Sequence, residues 1–171
     1  MEDFTNETID TKALPRYEQV ALTSLQAQYW NVIAISIIAV FLLAIAALST
    51  LLYLVEEVVD QKPLLFGGLV VVLVLALLLS RVSFRKKAYA FRQHDVIYRK
   101  GIIATNTMVI PYNRVQHVAL HEGLVSRWFG LAKVEIFTAG GVSSDIEIPG
   151  IRKEEAEDIK QLLMGKIQKQ L

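Results

Sequence analysis

Residues 30–55, WNVIAISIIAVFLLAIAALSTLLYLV, and residues 63–80, PLLFGGLVVVLVLALLLS, contain no charged side chain, and only EEVVDQK (residues 56–62) lies between them. A helix rises about 1.5 Å per residue, so the first stretch reaches roughly 39 Å and the second roughly 27 Å, against a hydrocarbon core of about 30 Å. Each is long enough to cross, and together they read as a transmembrane hairpin whose outer loop is residues 56–62. Ionisable groups inside a bilayer mark proton relays, ion paths and substrate sites. Neither stretch has one, so the hairpin reads as an anchor and not a conduit. Tyr29, Trp30 and Phe84 at one end and Tyr53 and Phe66 at the other stand where interfacial aromatics belong.

The overall charge of +1 hides an asymmetry: residues 1–29 carry net −3, the loop net −2 and residues 81–171 net +6. Orientation follows the Lys and Arg residues near the span ends. The loop offers only Lys62, whereas Arg81, Arg85, Lys86, Lys87 and Arg92 follow the second span and Lys12 and Arg16 precede the first. Both termini are therefore expected on the cytoplasmic side of the membrane, in a multi-pass, N-in/C-in arrangement. The acidic start and late apolar run speak against a cleaved signal peptide. The chain has no cysteine, which excludes disulfides, thiolate metal sites and cysteine catalysis and suits a reducing compartment.

The expected division is a cytoplasmic N-terminal segment (1–29), the hairpin (30–80) and a cytoplasmic domain (81–171). In the first segment Leu14, Tyr17, Ala21, Leu25 and Tyr29 recur at helical spacing, which predicts an amphipathic helix. It would lie on the inner membrane surface or pack on the soluble domain. Residues 1–11 are polar, acidic and expected to be disordered. Folding the hairpin about Val59 brings Gly67 and Gly68 level with Ala47, Ser49, Thr50 and Leu51. Small residues let helices approach closely, so contact is expected there, within one hairpin or between hairpins.

Beyond the basic run the pattern breaks into short strand-like pieces at residues 84–92, 95–100, 102–111, 114–121, 132–138 and 145–148. Turn residues punctuate them at 93–95, 100–101, 111–113, 139–141 and 149–150. Lys133-Val134-Glu135-Ile136 and Asp145-Ile146-Glu147-Ile148 alternate charged and apolar residues, the pattern of half-buried antiparallel strands. The chain closes with a helix from about Arg152, its apolar stripe made by Ala156, Ile159, Leu163 and Ile167. Acidic residues at its start and Lys166 and Lys169 at its end suit the helix dipole. A curved sheet of short strands needs such a stripe to cover an open end of its core.

The runs DVIYRKG (95–101), IPYNRVQHV (110–118), GLVSRWFGLA (123–132) and TAG (138–140) resemble the bacterial pleckstrin-homology-like membrane proteins of the YdbS-like type. The resemblance covers the two-span anchor and nearly all of residues 84–168. It implies an α+β fold: a two-helix transmembrane hairpin followed by a mainly-β, pleckstrin-homology-like barrel capped by the C-terminal α-helix. Larger membrane proteins carrying repeats of the same domain also occur in that family.

Few residues point to chemistry. His117 and His121 sit on a predicted strand, where four residues span about 13 Å, too far to share one zinc. With His94 at a turn, all three read as surface or packing residues, and no metal or other cofactor is expected. No nucleophile elbow, phosphate-cradling loop or paired acid appears. Gly140-Gly141 reads as a turn and Ser143, Ser144 and Asp145 as loop composition.

Arg114 and Gln116 are expected on one strand face, either as a recognition surface or with Arg114 tying neighbouring turns through its five donors. Leu124, Val125, Trp128 and Phe129, flanked by Ser126 and Arg127, predict a short helical turn. Burial statistics favour an apolar plug for one barrel end, the alternative being insertion into the membrane interface. Arg81, Arg85, Lys86 and Lys87, with Arg99 and Lys100 further on, are the candidate lipid contacts, although topology alone also calls for the first four.

The expectation is a non-enzymatic interaction or scaffold protein at the cytoplasmic face. Its partners would be the lipid bilayer and a protein, either its own copies or a larger membrane protein with repeated domains of the same kind. No nucleic acid or small-molecule substrate is expected. The alternatives are a sensor of anionic lipid or an accessory subunit of a transport or secretion complex.

Overall fold

A computed structural model describes residues 8, 10, 17–54, 62–139 and 146–168. Most of the loop between the two spans, Leu14, Gly140, Gly141, Ser143, Ser144, Asp145 and Lys169 lie outside the described residues. Two long helices, α1 (Tyr29–Leu54) and α2 (Lys62–Lys86), are long and apolar enough to cross a membrane. Their leucines and valines are mostly exposed, the arrangement expected of helices solvated by lipid and not by protein. The helices meet at their domain ends, where the rings of Tyr29 and Trp30 lie 6.4 and 6.3 Å from that of Phe84. A Cβ on Gly67 or Gly68 would meet nothing within 4 Å among the described residues, so within one hairpin neither position needs a glycine for room.

α2 does not stop at the bilayer boundary. Residues 81–86, in which Arg81, Arg85 and Lys86 are good helix formers, continue it to Lys86, where the Lys87 N–H bonds the Phe84 carbonyl at 3.2 Å. The strand expected from residue 84 therefore begins at Ala88. The domain comprises β1 (Thr23–Ser24), β2 (Ala88–Phe91), β3 (Asp95–Lys100), β4 (Asn106–Pro111), β5 (Val115–His121), α3 (Leu124–Trp128), β6 (Leu131–Thr138), β7 (Ile146–Arg152) and α4 (Lys153–Gln168). All strand pairs are antiparallel. They form two sheets, β1-β2-β3-β4 and β5-β6-β7, in place of the one closed barrel expected.

The expected amphipathic helix before the first span is replaced by a 3₁₀ turn at Tyr17–Gln19 and by β1, which pairs Thr23 with Tyr89 and Ser24 with Ala88. Its apolar residues serve the domain: Leu25 is buried in the core, and Tyr29 packs against the same cluster. Packing on the domain, the second of the two readings of this segment, is the one realised.

The core lies between the sheets and α4. Val96 and Tyr98 of β3, Val134 and Ile136 of β6, and Ile146, Ile148 and Ile151 of β7 are buried in it, with Ala156 and Leu163 of α4 above and Ile159 and Ile167 partly buried against it. The predicted stripe thus covers the core, and α4 packs on β5, β6, β7 and the 3₁₀ turn at Tyr112–Arg114.

The β2–β3 hairpin is closed by Arg92, whose guanidinium forms a bidentate pair with Asp95. The Tyr112 hydroxyl donates to the Arg92 carbonyl at 2.7 Å. Arg92 is therefore a structural residue.

Two strands run differently from their sequence punctuation. Residues 102–105 form a bend and β4 starts only at Asn106, because Gly101 (φ 131°) turns the chain so tightly that a Cβ would lie 1.9 Å from the Ala104 carbonyl oxygen. β7 continues through Pro149-Gly150, where the β6–β7 register shifts between Ala132 and Val134. The irregularity absorbs the proline, which cannot donate to a regular ladder.

Candidate functional site

A cavity of about 520 Å³ opens where the hairpin joins the domain. Its walls come from distant parts of the chain: Tyr29 at the start of α1, Lys87 just after α2, Tyr98 and Lys100 of β3, His121 at the end of β5, Gly123 and Ser126 around α3, Lys133 of β6, and Glu147, Pro149 and Gly150 of β7. The bulge at Gly150 builds one wall. Gly150 has φ 67°, and a Cβ there would lie 2.5 Å from the Tyr29 Cγ. The Gly150 carbonyl also accepts a 3.1 Å bond from the Gln26 N–H, so strand and N-terminal segment are fastened at this point.

Three ammonium groups line the cavity, and they are not equivalent. Lys133 Nζ lies 2.5 Å from a Glu135 carboxylate oxygen and 2.9 Å from one of Glu147, in agreement with the register that sets Glu135 opposite Glu147. Lys87 and Lys100 have no hydrogen bond or ion pair among the described residues. Lys87 is half-buried, and burial first, then the Lys100 charge, push its pKa below the usual lysine value, against a smaller opposing pull from Glu147. Tyr98 is buried, and desolvation pushes its phenol up to about 12, leaving a neutral hydroxyl at the wall. The arrangement is a polar recess with uncompensated positive charge.

The six basic residues proposed as lipid contacts thus divide. Lys87 and Lys100 converge on the cavity. Arg81 lies over the rings of Trp30 (4.7 Å) and Phe84 (5.7 Å), Lys86 donates to the Ile102 carbonyl, and Arg85 and Arg99 are exposed away from the cavity.

Arg114 lies in the 3₁₀ turn, not on the strand, and the β5–β6 register shift at Gln116 removes the shared face expected of the two. Both side chains are exposed. Arg114 ties its surroundings through its carbonyl, which accepts from the Ala139 N–H at 3.2 Å, and its guanidinium makes no bond among the described residues. That guanidinium instead lines an open corner of about 300 Å³ with Met108, Val109, Ile110, Pro111 and Thr138. His117 stacks on Phe137 with ring centroids 4.1 Å apart, a packing role.

The expected apolar plug is not formed by its two largest exposed members. Leu124 and Trp128 are 80% and 76% exposed, because α3 is a single short turn that leans on α1 and β6 and turns one side outward. Arg127 lies 3.9 Å from Glu122, which also holds Lys153 at 3.0 Å.

Two apolar helices followed by antiparallel sheets and a capping helix agree with the sequence profile of the bacterial PH domain, which matches residues 19–167. The chain belongs to the bacterial PH domain family. It is 30% identical over 137 residues to the UPF0699 transmembrane protein YdbS of Bacillus subtilis (strain 168), covering 77% of this chain and 81% of that protein. It is also 31% identical over 88 residues to the UPF0699 transmembrane protein YdbT of the same organism, covering 51% of this chain but only 18% of that one. No solved structure matches. This bacterial PH domain protein is a membrane protein, and the family match begins before the first span, at the segment that β1 weaves into the sheet.

Of the cavity residues, Tyr29, Tyr98, Lys133, Glu147 and Gly150 were not among the sequence candidates. The alternation in β6 and β7 marks Lys133 and Glu147 as one charged face. Nothing local marks Gly150 as the seat of Tyr29.

Proposed function

We propose that this protein is a non-enzymatic, membrane-anchored interaction module that presents its PH-like domain at the cytoplasmic face and binds a larger membrane protein carrying domains of the same kind. The observation that carries this reading is the free edge of β4. Among the described residues β4 pairs with β3 on one side only, and its sequence NTMVIP carries no charge, with Pro111 at its end as the one residue of a kind that guards an edge. Val109 is 41% exposed on it, Ile103 in the preceding bend is almost fully exposed, and the open corner at Arg114 adjoins it. A charge-free edge beside a shallow, partly apolar corner is the geometry used for addition of a partner strand. The similarity to a stretch of YdbT that makes up 18% of that protein supports a partner in which related domains belong to a longer chain. The basic run after the second span, with Lys12 and Arg16 before the first against Lys62 alone in the loop, supports the N-in/C-in orientation.

The test is affinity purification of the full chain from membranes in mild detergent, beside Val109→Lys and Ile103→Asp variants. A co-purifying transmembrane protein with PH-like domains that is lost from both variants is the expected result. Recovery of this chain alone, as a monomer, would overturn the proposal.

A further inference from the structure

A second recess borders the cavity beside the hairpin, with two lining residues in common. A crevice of about 280 Å³ runs between the domain ends of α1 and α2, lined by Tyr29, Ile33, Leu79, Ser80, Ser83, Phe84, Lys87 and Ile102. Tyr29 and Lys87 border both spaces. One compartment is polar and carries two ammonium groups without partners among the described residues. The other lies between the two membrane helices, where Ile33, Leu79 and Phe84 give it an apolar side and Ser80 and Ser83 a polar one. Side by side, they match a molecule that is anionic at one end and apolar at the other.

The charge balance favours an anion. The Glu147 carboxylate is held by Lys133 at 2.9 Å and also pulls on Lys87, but Lys87 and Lys100 together outweigh it, because Lys133 already shares its charge with Glu147 and Glu135. Holding a half-buried ammonium next to a second one is unfavourable, and a bound anion relieves both the desolvation and the repulsion. A phosphate oxygen accepts from ammonium groups and from the neutral Tyr98 hydroxyl alike. The polar compartment, at about 520 Å³, also falls within the range of small-ligand sites.

We infer that the junction binds one anionic phospholipid, its headgroup phosphate between Lys87 and Lys100 and the start of an acyl chain in the crevice lined by Ile33, Leu79 and Phe84. A soluble phosphate ester would use the first compartment and leave the second without a role. This site lies apart from the β4 edge, so it stands or falls independently of the protein partner. It also differs from a diffuse basic surface, because Arg85 and Arg99 take no part in it.

The experiment uses the full chain in neutral detergent, titrated with phosphatidylglycerol, phosphatidylcholine or glycerol 1-phosphate and followed by native mass spectrometry and thermal melting. Retention of one phosphatidylglycerol per chain and a raised melting temperature are expected, with no comparable effect of the other two. Lys100→Gln, at an exposed position that leaves folding intact, should weaken phosphatidylglycerol binding about tenfold, the loss of one charged hydrogen bond. Leu79→Trp, which fills the crevice, should weaken it with Lys87 and Lys100 unchanged. The double variant Arg85→Gln, Arg99→Gln removes two charges outside the site and should bind normally. Equal binding of phosphatidylcholine, equal binding of glycerol 1-phosphate, or an equal loss in the Arg85, Arg99 control would each overturn the inference.

Discussion

The two sheets of the domain are built to different standards. In β5-β6-β7, Val134, Ile136, Ile146, Ile148 and Ile151 are wholly inaccessible, and α4 lies across them. In β1-β2-β3-β4, the central strand β3 is as well buried, but β4 has no fully buried residue and, among the described residues, one unpaired side. Stability is therefore concentrated in the first sheet and in β3, while β4 is held by one ladder and is free to make contacts. A fold that had only to stand up would have no reason to leave an uncharged edge bare.

The sharpest way to break this contrast is a cavity in the stronger sheet. Ile148→Ala removes a side chain with no exposure from the middle of the core, and such truncations cost about 2–5 kcal/mol. Chemical denaturation of the full protein in detergent, followed by the far-ultraviolet signal of the domain, should show a loss of that size. A cost under about 1 kcal/mol would mean that β7 is not the centre of the core.

Gly150→Ala tests where the stronger sheet grips the hairpin. The new Cβ would fall 2.5 Å from the Tyr29 ring, at a backbone conformation (φ 67°) that disfavours alanine. The left-handed conformation alone costs about 1–2 kcal/mol, and displacement of Tyr29 adds to it. Protease cleavage between residues 24 and 30 should accelerate in this variant. Unchanged cleavage would show that the N-terminal segment is held by β1 alone.

The hairpin, the terminal helix and most strands were legible because each is set by local pattern. Charge-free length defines a span, a stripe at helical spacing defines α4, and alternation defines β6 and β7. The N-terminal segment misled for a physical reason. Tyr17, Ala21, Leu25 and Tyr29 do recur at helical spacing, but a two-residue strand has no periodicity of its own. What decides its conformation is pairing with Tyr89 and Ala88, more than sixty residues away. The same holds for the cavity: Lys87 and Lys100 were visible as basic residues, but Tyr29, Tyr98 and Gly150 join them only through the fold. The bulge at Gly150 follows from Pro149 interrupting a ladder, which in the sequence reads simply as the end of a strand.

The smallest expected stability effect belongs to the weaker edge. Val109→Lys replaces a side chain that is already 41% exposed, on a strand paired on one side, so the loss of burial is slight and the lysine stem can lie along the surface it vacates. Exposed substitutions of this kind fall within about 0.5 kcal/mol. The melting temperature should barely move, yet the same variant should abolish partner capture, because a charge guards the edge against strand addition. If instead Val109→Lys destabilises the domain as much as Ile148→Ala does, then β4 is part of the structural core, and the contrast between a load of buried isoleucines on one sheet and an open edge on the other disappears.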